Sequence, residues 1–274
     1  MNTQNLQESL SILARCSDMS WLDQKTILIT GANGGIGSEL IRQLAAINTQ
    51  LILTDMHIEG LESIASAYKD KVAGTFAADL SSEKGCKEAY EKAISISPQI
   101  DILINNAGVA VIGGFLDVPD EKWKKLLDIN LYAPIYLTRL FLPAMIQRGI
   151  GQIVNVSSVA GHLAHKDLNY YSISKFGLRA MGEALSAEVS RKGVAVSNVY
   201  PFFTDTKILS SEQYTEDKRQ LPSYLVDKVE DVVAEMIKGI EKRDLHIFPG
   251  FRAKGMNFFH RLFPELTTFL GKGL

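Results

Sequence analysis

The sequence predicts a single α/β domain, a doubly wound parallel sheet of about seven strands with helices on both faces. Three observations predict it. Short runs rich in Ile, Leu and Val alternate with segments of helical periodicity from Lys25 to about Gly250, as strands joined by crossover helices do. Most of these runs end in glycine or polar clusters, where ligands gather beyond the carboxyl ends of parallel strands. The 274 residues, 46% hydrophobic and 22% charged, contain no composition break, repeat or low-complexity tract that would divide them.

Taken in order, Thr26-Ile27-Leu28-Ile29-Thr30 reads as a buried strand, apolar and partly β-branched. Gly31-Ala32-Asn33-Gly34-Gly35-Ile36-Gly37 is the turn after it, and Ile36, Leu40, Ile41 and Leu44 give helical spacing. Leu51 to Thr54 is a second strand ending at Asp55; Val72 to Ala77 is a third, ending in Asp79-Leu80. A polar helix follows over about 82–97. Ile100 to Ile104 leads into Asn105-Asn106-Ala107-Gly108. A long helical region covers 120–148, with Pro134 and Pro143 marking boundaries or kinks. Gln152 to Val156 delivers Ser157-Ser158, a helix spans 169–192, and Val194 to Val199 ends at Tyr200-Pro201. Beyond a looser segment, 229–242 is helical and Leu245 to Phe248 is a last short strand. The division is therefore an N-terminal extension (1–20, with Leu6, Leu10 and Leu13 at helical spacing), the α/β domain (21–250) and a tail (251–274).

Composition removes several classes of function. A net charge of −2 and a pI of about 6.2 give no basic field for nucleic acid. Two cysteines, Cys16 and Cys86, are too few for a disulfide framework, and five scattered histidines form no metal cluster; no metal site is expected. No secretory signal and no run of about twenty uninterrupted apolar residues is present. The expected location is the cytoplasm.

The glycine turn lets backbone approach a diphosphate, whose charge the following helix N-terminus favours; a bare tight turn is the plainer alternative. No Lys-Ser or Lys-Thr follows the glycines, so this is not a phosphate-cradling P-loop. Asp55 ends the second strand 18 residues after Gly37, where a carboxylate accepts hydrogen bonds from adenosine ribose hydroxyls and repels a 2′-phosphate. With no Arg or Lys in the glycine loop, NAD(H) is favoured over NADP(H). Further on, Tyr171 and Lys175 lie four residues apart, on one face if helical. A cation beside a phenol lowers its pKa toward the range useful for acid–base catalysis. In isolation such a pair is a solvated patch of helix.

Together these residues resemble the short-chain dehydrogenase/reductase family. Thr30 to Gly37 matches its TGxxxGxG motif, Asn105 to Gly108 its NNAG motif, and Tyr171 to Lys175 its YxxxK motif. Ser158 and Asn130 precede Tyr171 by 13 and 41 residues, as the family's catalytic serine and asparagine do. The resemblance runs from Lys25 to about Ile208, with a looser fit to Gly250. It implies a Rossmann-type domain and an oxidoreductase interconverting a secondary alcohol and a ketone. Tyr171 would be the general acid/base, assisted by Lys175; Ser158 would hold the substrate oxygen, and Asn130, at a helix irregularity, a water linked to Lys175. Cofactor contacts would come from Gly31, Asn33, Gly34, Gly35, Ile36, Gly37, Asp55, Asp79, Leu80, Asn105, Ala107, Gly108, Tyr171, Lys175, Pro201 and Thr206. Phe202 departs from the pattern, standing where the family usually has Gly. A homodimer or homotetramer packed through 120–148 and 169–192 is implied. An NADP(H)-dependent carbonyl or 3-ketoacyl reductase and a non-catalytic cofactor-binding regulator are the alternatives.

Apolar substrate walls are expected from Val109-Ala110-Val111-Ile112, Phe115, Leu163-Ala164, Phe202-Phe203 and Ile208-Leu209, pointing to a steroid, retinoid or acyl-chain compound. His162, His165 and Lys166 are the polar groups of the loop between Ser158 and Tyr171. In the tail, Phe258, Phe259, Leu262, Phe263, Leu266, Phe269 and Leu270 form an apolar stripe, and Arg252, Lys254, Arg261 and Lys272 face only Glu265. Such a stripe packs within the protein or a dimer, caps the substrate pocket, or contacts a membrane peripherally.

Overall fold

The computed structural model describes residues 20–215 and 222–270; the predicted N-terminal stripe lies outside them. In chain order the elements are β1 (Thr26–Thr30), α1 (Gly35–Leu44), β2 (Gln50–Asp55), α2 (Ile58–Ala67), β3 (Val72–Ala77), α3 (Glu83–Ile96), β4 (Ile102–Asn105), β5 (Ile112–Gly113) and α4 (Asp120–Leu127). After a π-helical turn at Asp128–Tyr132 come α5 (Ala133–Arg148), β6 (Gly151–Val156), α6 (Asn169–Val189), β7 (Val194–Val199), β8 (Gln213–Tyr214), α7 (Val229–Glu241), β9 (His246–Ile247), α8 (Gly250–Leu262) and α9 (Pro264–Leu270).

Seven strands make one parallel sheet in the order β3-β2-β1-β4-β6-β7-β9. The chain winds outward from β1 to β3, then returns to place β4 beside β1, so the direction reverses between those two strands. A crevice opens at such a reversal. Strand alternation sorts the core into two layers. Ile27, Ile29, Leu51, Leu53, Ile102 and Ile104 pack with Leu40 and Leu44 of α1 and Val232, Val233 and Met236 of α7. Leu28, Ile52, Leu103 and Ile153 face the other way, against Cys86 and Ala89 of α3 and Leu137, Phe141 and Met145 of α5.

Two elements went unforeseen. In and just after α2, Leu61 is buried and Ile58, Ile64 and Tyr68 pack beside it at helical spacing, a signal that the sequence does carry. The small β5–β8 sheet pairs segments about a hundred residues apart through two residues each. The predicted helix over 120–148 exists but is broken by the π turn, with Pro134 in the first turn of α5 and Pro143 inside it. By length and composition, Asp120–Arg148 is one helix long and apolar enough to cross a membrane; its inner face is built into the cover of the sheet.

A buried row of amides crosses the middle of the sheet. Asn105, Asn155 and Asn198 lie in register on β4, β6 and β7. Asn105 Nδ2 donates to Asn155 Oδ1 (3.0 Å) and Asn155 Nδ2 to Asn198 Oδ1 (3.1 Å). Asn198 Nδ2 passes the chain on to the Arg179 carbonyl of α6 (3.2 Å). The row ties the helix carrying Tyr171 and Lys175 to the strands. Asn155→Ala strands a donor on Asn105 and an acceptor on Asn198, both buried. Each unpaired group costs about 1–3 kcal/mol, so urea denaturation should show a loss of at least ~2 kcal/mol.

Candidate active site

The site begins where β1 and β4 end side by side. Thr30 Oγ1 donates to the Ile104 carbonyl (3.2 Å) and accepts from the Asn106 and Ala107 amides (3.0 Å each). Asn106 Nδ2 returns two bonds, to the carbonyls of Thr30 (2.9 Å) and Gly31 (3.0 Å). Gly31 has φ +65, and a Cβ on it would stand 2.7 Å from Ala107 Cα. Only glycine tolerates that backbone in that space. Neither Thr30 nor Asn106 stands among the predicted contacts, although both lie within the motifs; their part is visible only once β1 and β4 are known to be neighbours.

Beyond Gly31 the chain enters α1 through Gly34, an extended N-cap with no capping side chain and no acidic residue in the first turn. Amides at such a helix start bind anionic groups. A Cβ on Gly35 would come within 2.6 Å of Thr206 Cγ2, so the segment after β7 closes over this turn. Asp55 is fixed at the end of β2, its Oδ2 accepting from the Asn33 amide (3.0 Å) and its Oδ1 from the Met56 amide (2.8 Å). Asn33 Nδ2 donates to the His57 carbonyl (2.8 Å), while its Oδ1 is buried without a partner. Open helix amides, an oriented carboxylate and an unpaired polar atom along one strip fit a dinucleotide.

Gly31 to Gly37, Asp55, Ala107, Gly108 and Thr206 thus lie around one end of the sheet. Asp79 lies at the surface, its carboxyl held below the usual range by Ser81, whose amide donates to Oδ1 (2.9 Å). Pro201 is buried, and its carbonyl accepts from the Val159 amide (3.0 Å). Two predicted contacts need correction at the side-chain level. Asn105 Nδ2 is used in the amide row, with Thr138 beside it, while its Oδ1 is buried without a partner. Leu80 is buried against Cys86 and Ala89 in the second core layer.

The acid–base residues meet at the ends of β6 and α6. Lys175 is 4% exposed; its Nζ donates to the Val156 carbonyl (2.9 Å) and lies 5.6 Å from the Tyr171 ring centre. A Cβ on Gly108 would be 3.5 Å from that Nζ and 3.3 Å from Asn130 Oδ1, which places the NNAG segment against both residues. Asn130 sits in the π turn, fully buried. It clamps Val109, accepting from its amide and donating to its carbonyl (2.9 Å each), and reaches Ser174 Oγ (3.2 Å). Pro134, four residues on, has no N–H to give an α-helical bond to the Asn130 carbonyl. That deletion is the sequence signal for the irregularity.

The structure also separates the adjacent pairs. Tyr170 OH donates to the Phe115 carbonyl (2.8 Å), and its ring is stacked between Phe115 and Trp123, each 5.2 Å away. Ser157 Oγ is buried and donates to the Lys175 carbonyl (2.9 Å). Ser158 Oγ instead accepts from the Ala160 amide (3.1 Å) and exerts a lowering pull on the Tyr171 phenol. Burial pushes the Tyr171 phenol up to about 12, against a lowering pull from Ser158, and pushes the Lys175 ammonium down to about 8. The phenol therefore moves opposite to what the neighbouring cation alone predicts.

The family model described as short chain dehydrogenase matches residues 25–217. The chain belongs to the short-chain dehydrogenase/reductase family. It is 31% identical over 219 residues to a 3-oxoacyl-(acyl-carrier-protein) reductase of Buchnera aphidicola, covering 79% of this chain and 89% of that protein. A short-chain dehydrogenase from Sphingobium yanoikuyae in complex with NADPH superposes with a TM-score of 0.73 at 27% identity, over 88% of this chain and 96% of the other. A Burkholderia phymatum member in complex with NAD gives 0.79 at 23% identity, over 90% and 96%, and shares the fold.

The departure from the family at Phe202 has a structural reason. Its side chain is half-buried with Phe248 and Met256 against Val159, Tyr200 and Ala253, so it seats α8 rather than lining a substrate wall. Val111 likewise packs against Val118, Leu126 and Tyr171. His162 is no free loop histidine: its Nδ1 bonds to Arg179, and its ring meets those of Phe248 and His260. Burial and then Arg179 push its imidazole down to about 4. The tail stripe does not pack inward. Phe258, Phe259, Leu262, Phe263 and Leu266 are exposed, while the side chains of Phe269 and Leu270, and Lys272 entirely, lie outside the described residues.

Proposed function

We propose that this chain is an NAD(H)-dependent oxidoreductase interconverting a secondary alcohol and a ketone on a hydrophobic substrate. The observation that supports it most is the convergence of Ser158, Tyr171, Lys175 and Asn130 beside the Gly31–Gly37 turn and Asp55. A bound nicotinamide dinucleotide supplies or accepts the hydride at the substrate carbon. Asp55, oriented by two amides, takes the adenosine ribose hydroxyls, and the α1 N-terminus takes the diphosphate. Lys175 Nζ is placed to reach the nicotinamide ribose. In reduction Ser158 Oγ donates to the substrate oxygen, and Tyr171 Oη delivers its proton there as negative charge develops.

Tyr171 holds its proton throughout the neutral range, the form that reduction requires. The role of Asn130 divides: its side chain fixes Val109, and its carbonyl, deprived of an α-helical donor by Pro134, takes the water linked to Lys175. Exposed Tyr132, Ile173 and Phe176, from the π turn and α6, support a homodimer or homotetramer packed through this face. The second reading, an NADP(H)-dependent 3-ketoacyl reductase, draws on the Buchnera relative's name; Asp55 opposes it.

Three experiments test the reading. Tyr171→Phe should keep dinucleotide binding and lower ketone reduction by about 10²–10⁴-fold; unchanged turnover would contradict the assigned role. In the wild type, Lys175 loses its positive charge as pH rises through about 8. Ketone reduction at saturating NADH should therefore be level below that pH and decline above it in a pH–rate profile. Asp55→Ser should narrow the ratio of kcat/KM for NAD over NADP by roughly tenfold or more, given about 1.4 kcal/mol per decade. A wild type already preferring NADP would favour the second reading.

A further inference from the structure

Tyr171, Lys175, Arg179 and Glu183 recur at every fourth position of α6, a stripe that winds slowly around the helix. The first two are the acid–base pair, and the third reaches the loop that carries Ser158. Arg179 donates through Nε to Glu183 Oε1 (2.6 Å) and through Nη1 to His162 Nδ1. Glu183 is set in turn beside His246 of β9, 3.8 Å from its Nε2. The Arg179 carbonyl accepts from Asn198 Nδ2 (3.2 Å), at the end of the buried amide row. Arg179 is thus tied to the sheet by its backbone and to the Ser158 loop by its side chain.

His162 is a short step from Ser158. Ser158 opens the turn Val159–Gly161, and the amides of Gly161 and His162 donate back to the carbonyls of Ser158 (2.9 Å) and Val159 (2.8 Å). The turn lies directly on α6: a Cβ on Gly161 would stand 2.6 Å from the Lys175 carbonyl oxygen. A guanidinium donates and does not accept, so His162 Nδ1 is the acceptor and the proton of the neutral ring is on Nε2. That Nε2 is buried without a partner, with the rings of Phe248 and His260 5.6 and 5.0 Å from its own. A buried donor left unpaired is destabilising. Packing alone therefore does not favour an imidazole here; the bond to Arg179 does.

We propose that Arg179 is a positioning residue for the reaction, an inference that rests on the role given to Ser158 above. Through His162 it clamps the Val159–Gly161 turn onto α6 and so fixes where Ser158 Oγ stands relative to Tyr171 Oη. The two hydroxyls must meet one substrate oxygen, yet they come from different elements, Ser158 from the exit of β6 and Tyr171 from α6. On the near side of Ser158, Ser157 Oγ holds the Lys175 carbonyl (2.9 Å). On the far side, His162 holds Arg179. Ser158 therefore lies between two ties to the helix that carries Tyr171, whereas the Val159 amide ties the turn only to Pro201 (3.0 Å). Releasing the far tie lets the hydroxyl drift, and misplacement of a reacting group by about 1 Å slows a reaction strongly.

Ketone reduction by NADH tests this in the full chain, comparing wild type, Arg179→Met, Arg179→Lys, Ser158→Ala and the double variant Ser158→Ala/Arg179→Met. The ketone is the fastest reduced of acetophenone, a steroid ketone and an acetoacetyl thioester. Arg179→Met should lower kcat by about tenfold, while the Kd for NADH from fluorescence titration stays within about twofold. Arg179→Lys keeps a donor for His162 Nδ1 and should recover about threefold or more of that loss. In the Ser158→Ala background, Arg179→Met should cost less than about twofold, because the hydroxyl that it positions is gone. A merely structural role would instead give the same loss in both backgrounds, and that result would overturn the assignment, as would an unchanged kcat in Arg179→Met. If circular dichroism shows that Arg179→Met does not fold, His162→Leu replaces it with the same expectations, since it removes the other half of the contact. A wild type that reduces none of the three ketones would contradict the reaction itself and remove the inference with it.

Discussion

The joint between β1 and β4 carries the rest of the site. One hydroxyl, Thr30 Oγ1, binds three backbone groups of the neighbouring strand and its exit, and Asn106 answers with two bonds in return. These bonds press the glycine turn onto Ala107 so closely that Gly31 admits no side chain. The sheet order supplies the reason, because β1 and β4 flank the reversal where the crevice opens. A dinucleotide surface and the NNAG segment beneath it are thus two sides of one joint. Through Gly108 that joint continues to Asn130 and Lys175.

The second organising constraint is desolvation. Lys175 is buried and Tyr171 half-buried beside it, and desolvation opposes charge on each, raising the phenol and lowering the ammonium. Placing an ionisable pair in such a setting is destabilising unless its polar atoms are held. Ser158 partly offsets the rise of the phenol, and the Val156 carbonyl holds the ammonium. The amide row of Asn105, Asn155 and Asn198 extends the arrangement across three strands into α6. Polar groups in the interior of this fold form a connected scaffold beneath the catalytic edge.

Much of this was legible in the sequence because the signals were local. Strands such as Thr26–Thr30 and Val194–Val199 declare themselves by composition, and the glycine turn by its spacing. Most of what escaped notice depended on partners distant in sequence. The inward turn of Asn105 requires Asn155 on the adjacent strand; nothing near Asn105 announces it. Phe202 looked like an intrusion into a glycine position until α8, about fifty residues on, supplied the cluster it fills. The choice of Tyr171 over Tyr170 agreed with spacing, but its physical basis is the stacking of Tyr170 between Phe115 and Trp123. The direction of the Tyr171 shift could not be read from the Tyr/Lys pairing, since burial is a property of the assembled site.

Thr30→Val tests the central joint most directly, since it preserves shape while deleting the hydroxyl that binds Ile104, Asn106 and Ala107. Isothermal titration calorimetry of NAD with the wild type and this variant is the measurement. The account predicts a Kd weakened by about tenfold, with the Ala107 amide left unpaired at roughly 1–3 kcal/mol while the Asn106 amide keeps the Ile104 carbonyl. An unchanged Kd in a folded variant would contradict the claim that this hydroxyl assembles the dinucleotide site.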